Sequence, residues 1–109
     1  NSASLANFKK GSYLINTARG LCVDEHALVD ALKSATLAGA ALDVFDNEPN
    51  INPELIGMEN VILTPHIASA TFEARSEMAN MAVNAILETI RGNMPSNIVN
   101  KDVWDKRRK

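Results

Sequence analysis

Three short apolar runs constrain this chain more than anything else in it. They are Tyr13-Leu14-Ile15-Asn16, Ala38-Gly39-Ala40-Ala41-Leu42-Asp43-Val44-Phe45 and Val61-Ile62-Leu63-Thr64. Each contains or ends on a polar residue, and helix-patterned segments alternate with them. Short apolar runs bounded by turn residues read as buried strands. Strands that alternate with helices argue for an α/β layer with a parallel sheet. In an open sheet of this kind the ligand crevice lies just outside the carboxyl ends of the strands. Whatever polar residues follow these three runs should therefore share one rim.

The remaining segments fit that scheme. Residues 3–9 read as a helix stopped by Gly11. A second helix starts at the N-cap Asp24, with Glu25 in its first turn and Val23 and Leu28 as a hydrophobic staple. Ala27, Leu28, Ala31 and Leu32 form its apolar face, and it should end near Ser34 or Ala35. The small residues of the second strand point to close backbone packing. Asp46 to Gly57 reads as a turn-rich loop. The last helix runs from Thr71 to Arg91 with Met78, Ala82, Ala85, Ile86 and Ile90 on one stripe, and Gly92, Asn93 and Pro95 stop it. Three parallel strands are few for a complete domain, so one face or edge of the sheet should be bare.

Composition narrows the function classes. The chain has 109 residues, 46% hydrophobic and 22% charged, as in ordinary globular domains. Its longest apolar runs fall far short of the roughly 20 residues of a membrane span. The N-terminus lacks the basic and apolar regions of a signal peptide. Without an initiator Met, the chain reads as part of something longer or as a processed product. Eleven Lys and Arg against thirteen Asp and Glu give a net charge of −2. Four of the cations are the run Lys106-Arg107-Arg108-Lys109; without them seven face thirteen, a balance of −6. An acidic body lacks the cations that neutralise phosphates, so nucleic acid is not an expected partner. The run itself reads as a solvated end. The single cysteine, Cys22, excludes an internal disulfide and reads as a small buried hydrophobe. His26 reads as an exposed, inert helix residue, and Met78, Met81 and Met94 as packing residues.

Four polar residues occupy the expected rim. Arg19 follows the first strand, Asp43 closes the second, Glu48 lies five residues on, and His66 follows the third. Arg offers a planar fork for a carboxylate. His has an ordinary pKa of about 6.5, suited to proton transfer near neutrality. A carboxylate bonded to an imidazole fixes its tautomer and favours its charged form. Together these suit acid–base chemistry on an anionic substrate. Each residue also has a plain structural reading: Arg19 as a surface ion-pair partner, His66 as a polar loop residue, Asp43 as a turn cap, Glu48 as a solvated carboxylate. Residue type and spacing alone leave function open.

The wording of the motifs adds to this. Asn16-Thr17-Ala18-Arg19-Gly20, then Val23-Asp24-Glu25 with Ala27-Leu28 and Ala31-Leu32, then Gly39 to Phe45 with Glu48-Pro49, then Asn60 to Ile67, closely resemble the NAD(P)-dependent D-isomer-specific 2-hydroxyacid dehydrogenases. The resemblance runs from about Asn1 to Trp104, with the flavour of glyoxylate/hydroxypyruvate reductase-like members. It implies an α/β fold, the C-terminal part of a Rossmann-like doubly wound parallel sheet with about three strands and flanking helices. Residues 1–92 would belong to the NAD(P)-binding domain, and residues 93–109 would be the C-terminal return segment and basic tail. Arg19 inherits the substrate carboxylate, His66 the role of general acid/base, Glu48 that of its orienting partner. Asp43 inherits a contact with the nicotinamide amide, and Thr17, Ala18, Ala68 and Ser69 match backbone that touches the nicotinamide end. The implied reaction moves a hydride between NAD or NADP and a small 2-oxo or 2-hydroxy acid, in a cytoplasmic homodimer with no membrane partner.

The departures matter as well. The glycine-rich turn that receives the pyrophosphate is absent, as is a separate substrate domain, so the chain alone should be inactive. Ala35 stands where relatives often carry Gly, and Ala68-Ser69-Ala70 where many have a glycine-containing turn. Two other readings share the fold. A formate dehydrogenase-like enzyme generally has Gln in place of Glu48. A corepressor-type scaffold senses NAD through assembly and often keeps the triad.

Overall fold

The computed structural model describes residues 1–107. They form two compact units, Asn1–Ala68 and a second that begins at Ser69.

The first unit is built on α2, Glu25–Lys33. Asp24 caps it, its Oδ1 accepting from the Ala27 N–H at 3.0 Å, and Glu25 lies in the first turn, where the helix dipole favours a carboxylate. Its face of Ala27, Leu28, Val29, Ala31 and Leu32 is buried, with Leu28 wholly so. The helix ends at Ser34, and Ala35 takes the left-handed conformation with φ +54°, as a helix C-terminus commonly requires.

Three parallel strands pack on this helix in the order β1-β2-β3: Ser12–Asn16, Leu37–Leu42 and Val61–Leu63. Asn16 pairs with Leu42 and Leu42 with Leu63, which brings all three carboxyl ends level. Leu14, Ala40, Leu42, Val61 and Leu63 face the core around Leu28, Leu32, Leu37 and Leu55. Gly39 explains the small residues of β2. A Cβ there would stand 2.6 Å from the Asn60 carbonyl oxygen and 3.1 Å from the Tyr13 ring.

Several expectations are corrected. β1 and β3 are covered on one face only, where Leu14, Val61 and Leu63 are half-buried against the core. Tyr13, Ile15 and Ile62 remain 72%, 73% and 66% exposed, so the bare sheet face expected of a three-stranded sheet is there. α1 is Ser2–Leu5 rather than 3–9, because Asn7 and Phe8 close tighter i→i−3 turns and only Leu5 finds the core. β2 stops at Leu42, where Asp43 turns its carboxylate onto the next loop. The Asp46–Gly57 loop holds a further helix, α3, Pro53–Ile56. Asn52 caps it, Pro53 opens it, and Leu55 is buried. Lys33 of α2 pairs with its Glu54. Cys22 is exposed, because it ends a single 3-10 turn at the surface, Gly20–Cys22.

The second unit is α4, Phe72–Ile90, and the segment after it. Thr71 caps α4 through its Oγ1, which accepts from the Ala74 N–H at 3.1 Å. After Arg91 and Gly92 the chain folds back, and the Ser96 N–H donates to Glu88 Oε2 at 3.0 Å. The expected packing stripe of Met78, Ala82, Ala85, Ile86 and Ile90 is not buried: α4 has no buried residue, and Met81 and Met94 are also exposed. The basic run departs from a purely solvated end, since the Arg107 guanidinium lies 3.6 Å over the Trp104 ring. Arg108 and Lys109 lie outside the described residues. Among the described residues no helix is long and apolar enough to cross a membrane.

Candidate active site

The three level strand ends each feed a loop, and the loops hold one another. After β1, the buried Asn16 side chain shapes its own turn. Its Oδ1 accepts from the Ala18 N–H at 3.1 Å and its Nδ2 donates to the Arg19 carbonyl at 2.9 Å. Thr17, Ala18 and Arg19 are thereby held as an exposed projection, with Arg19 Nη1 donating to the Ala18 carbonyl at 2.6 Å. Gly20 follows and is buried. A Cβ at Gly20 would sit 2.0 Å from the carbonyl carbon and oxygen of Phe45, so the Arg19 loop lies directly on the Phe45–Asp46 peptide.

After β2, Asp43 is only 4% exposed and its side-chain bonds all reach the third loop. Its Oδ1 accepts from the Thr64 hydroxyl at 2.5 Å and the Ile67 N–H at 2.8 Å; its Oδ2 accepts from the Ala68 N–H at 2.7 Å. The Thr64 hydroxyl, then the Ile67 amide, hold the Asp43 carboxyl below the usual carboxylate range. This clamp encloses His66, whose backbone has φ +54°. His tolerates that region better than most residues, but it is still a strained state that surrounding bonds must enforce. The His66 N–H donates to the Thr64 carbonyl at 3.0 Å.

Glu48 completes the pair. Its Oε2 lies 3.0 Å from His66 Nδ1, and its Oε1 accepts from the Phe45 N–H at 3.0 Å. The His66 hydrogen bond, then the Phe45 amide, hold the Glu48 carboxyl low, and the charge of Arg19 adds to the effect. A carboxylate only accepts, so the hydrogen on this bond belongs to Nδ1, and Nε2 is the imidazole nitrogen left for other partners. A cavity of about 190 Å³ adjoins the pair, lined by Phe45, Glu48, Pro49, Ile51, Pro65 and His66. A larger open hollow of about 1010 Å³, at Asp24, Glu25 and Asp46, contains no such pair.

The structure thus sets Arg19, Glu48 and His66 on one rim, with Asp43 beneath the His66 loop and Thr17 and Ala18 beside Arg19. The Ala68 N–H is spent on Asp43. Ser69 opens the second unit. Sequence reading passed over Asn16, Gly20 and Thr64 as site-shaping residues. An Asn at a strand end with Gly four residues on is the turn signal that marks the first two; nothing marks Thr64 before Asp43 is seen bonded to it.

Comparison with known proteins identifies the family. Residues 1–68 match the family described as D-isomer specific 2-hydroxyacid dehydrogenase, NAD binding domain. A glyoxylate reductase of Thermofilum pendens is 53% identical over 104 residues, 94% of this chain and 31% of the relative. A glyoxylate reductase of Pyrococcus furiosus is 48% identical over 103 residues, with the same 94% and 31% shares. Among solved structures, Rhodotorula graminis D-mandelate dehydrogenase superposes with a TM-score of 0.84 at 36% identity, covering 93% of this chain and 30% of that one. The NADPH-dependent glyoxylate/hydroxypyruvate reductase of Sinorhizobium meliloti, in complex with citrate, superposes with a TM-score of 0.75 at 44% identity, covering 81% and 28%. The chain spans about a third of the length of the curated relatives it matches. On the family match over residues 1–68, joined to a parallel sheet whose strand ends gather Arg19, Glu48 and His66, the chain belongs to the D-isomer specific 2-hydroxyacid dehydrogenases, as part of their NAD-binding domain.

Proposed function

We propose that the protein to which this chain belongs reduces a small 2-oxo acid to a 2-hydroxy acid with NADH or NADPH, in the manner of a glyoxylate/hydroxypyruvate reductase. The observation that carries the reading is the 3.0 Å bond between Glu48 Oε2 and His66 Nδ1, on the strand-end rim that also holds Arg19. Arg19 binds the substrate carboxylate through its planar fork. Glu48 fixes the His66 tautomer and steadies the imidazolium. His66 gives its Nε2 proton to the carbonyl oxygen as that oxygen gains charge, and takes it back in the reverse direction.

The residues present fit the nicotinamide end of the cofactor. Thr17 and Ala18 are exposed beside Arg19, and Asp43 Oδ2 accepts one hydrogen bond here, leaving acceptor capacity for a carboxamide. Ala68, whose N–H bonds Asp43, completes that set. When bound, the reduced nicotinamide supplies the hydride. The pyrophosphate turn is not in this sequence, so the chain alone holds no complete cofactor site and turns nothing over. In this reading residues 1–92 complete the coenzyme domain and 93–109 return toward the substrate domain. The working form is a cytoplasmic homodimer without nucleic-acid or membrane partners, a setting that suits the unpaired, exposed Cys22.

The test is oxidation of NADH and of NADPH by the whole protein with glyoxylate and hydroxypyruvate. Turnover is expected, falling about 10²–10⁴-fold in His66→Ala and falling in Arg19→Lys through loss of the bidentate fork. Wild-type turnover in His66→Ala would remove that residue from the chemistry. NAD-dependent dimerisation with peptide binding and no turnover would instead identify a corepressor-type scaffold.

A further inference from the structure

We propose that Glu25, in the first turn of α2, is a positioning residue for the Glu48–His66 pair, acting through the Phe45–Asp46 peptide. Three contacts meet on that short stretch of backbone. Glu25 Oε1 accepts from the Asp46 N–H at 2.9 Å, across 21 residues of sequence. Gly20 lies against the Phe45 carbonyl, where a Cβ would come within 2.0 Å. The Phe45 N–H donates to Glu48 Oε1 at 3.0 Å, and Glu48 Oε2 reaches His66. Phe45 itself is buried in the core. The peptide after Phe45 is therefore pinned on one side by Gly20 and on the other by Glu25. The Phe45 N–H, on the preceding peptide, donates to the Glu48 carboxylate, so a shift of the Phe45–Asp46 peptide is passed to Glu48 through Phe45. Glu25 touches neither Glu48 nor His66, and its carboxylate is anchored in the best-packed helix of the unit. The helix thus sets the register of the loop that carries Glu48.

The placement of the carboxylate is independent of any turnover; only its catalytic consequence rests on the function proposed above. Placement has a direct readout. The Phe45 amide is bonded to Glu48, so its proton and nitrogen NMR shifts follow the titration of that carboxylate. The charged groups that bear on Glu48 are His66 and Arg19; those beside Glu25 are Asp24, His26 and Asp46. In the wild-type chain the Phe45 amide should titrate below the ordinary glutamate range.

Two variants separate reach from charge. Glu25→Asp keeps the charge in the first turn but withdraws the oxygen by one methylene. Glu25→Gln loses the charge but keeps an oxygen acceptor at full reach. Positioning predicts that Glu25→Asp moves the Phe45 titration up toward the ordinary glutamate value and speeds exchange of the Asp46 amide at least tenfold, while Glu25→Gln leaves both near wild type. Unchanged Ala40 and Leu42 amide signals would show that the sheet is intact in each. A Phe45 titration unmoved in Glu25→Asp, or moved equally in Glu25→Gln, would overturn the proposal.

Discussion

Gly20 shows how little freedom the backbone has beside the candidate site. Its missing Cβ would overlap two backbone atoms of Phe45 at 2.0 Å, and backbone cannot swing aside as a flexible side chain does. Gly20→Ala must separate the Arg19 loop from the Phe45–Asp46 peptide. The expected cost is about 3 kcal/mol or more, at the upper end for overpacking, read as a lowered urea midpoint. The same displacement strains the Phe45 N–H bond to Glu48, so Gly20→Ala should also shift the His66 ring resonances although the two side chains never meet. The gathering of Arg19, Glu48 and His66 on one rim was legible from their types and their places beyond the strands; the roles proposed for them come from the family motifs. The residues that hold them were less legible. Glu25 and Thr64 act through contacts 21 residues away in sequence, which only the fold shows, whereas Asn16 bonds Arg19 three residues on and carries a local turn signal.

At the scale of elements, the apolar pattern located every strand and both long helices, because period and capping are local signals. Asp24 and Thr71 cap as their sequence positions imply. Burial is a tertiary matter, and there the pattern misled. An apolar run reads the same whether one face or both are covered, so Tyr13, Ile15 and Ile62 could not be told apart from Leu14 and Leu63. The α4 stripe raises the same difficulty. α3 was hidden because four residues are too few for a helical period, although Asn52 and Pro53 are ordinary start signals. The end of α2 yields a prediction at this scale. Ala35 holds φ +54° with a Cβ that opposes it. A left-handed non-glycine residue costs about 1–2 kcal/mol, and glycine gives back about 0.4–1 kcal/mol in the unfolded chain. Ala35→Gly should therefore stabilise the chain by about 0.5–1 kcal/mol, seen as a raised urea midpoint with an unchanged m value. A lowered midpoint would mean that the strain is already relaxed around Ser34.

At the scale of the molecule, three carboxylates tie distant segments together and make folding sensitive to acid. Asp43 joins the end of β2 to the His66 loop, Glu48 joins its own loop to His66, and Glu54 pairs α3 with α2 through Lys33. All three titrate below their ordinary range. The first cause is the Thr64 hydroxyl for Asp43, the His66 bond for Glu48 and the Lys33 bond for Glu54. A carboxylate whose pKa is lower folded than unfolded is protonated first in the unfolded chain. Its contribution is complete above the unfolded pKa and is lost as pH falls through the folded one. Stability should therefore be flat from pH 7 down to about 5 and decline below that. Urea midpoints at a series of acid pH values measure the decline. Asp43→Asn must shallow it if this linkage holds, because the variant removes a buried carboxylate that bonds three donors at once. It also lowers stability at pH 7, since an amide leaves one of those donors unmatched. An acid decline equally steep in Asp43→Asn would place the proton uptake elsewhere in the chain. The Asp43 clamp would then hold the His66 loop by geometry alone.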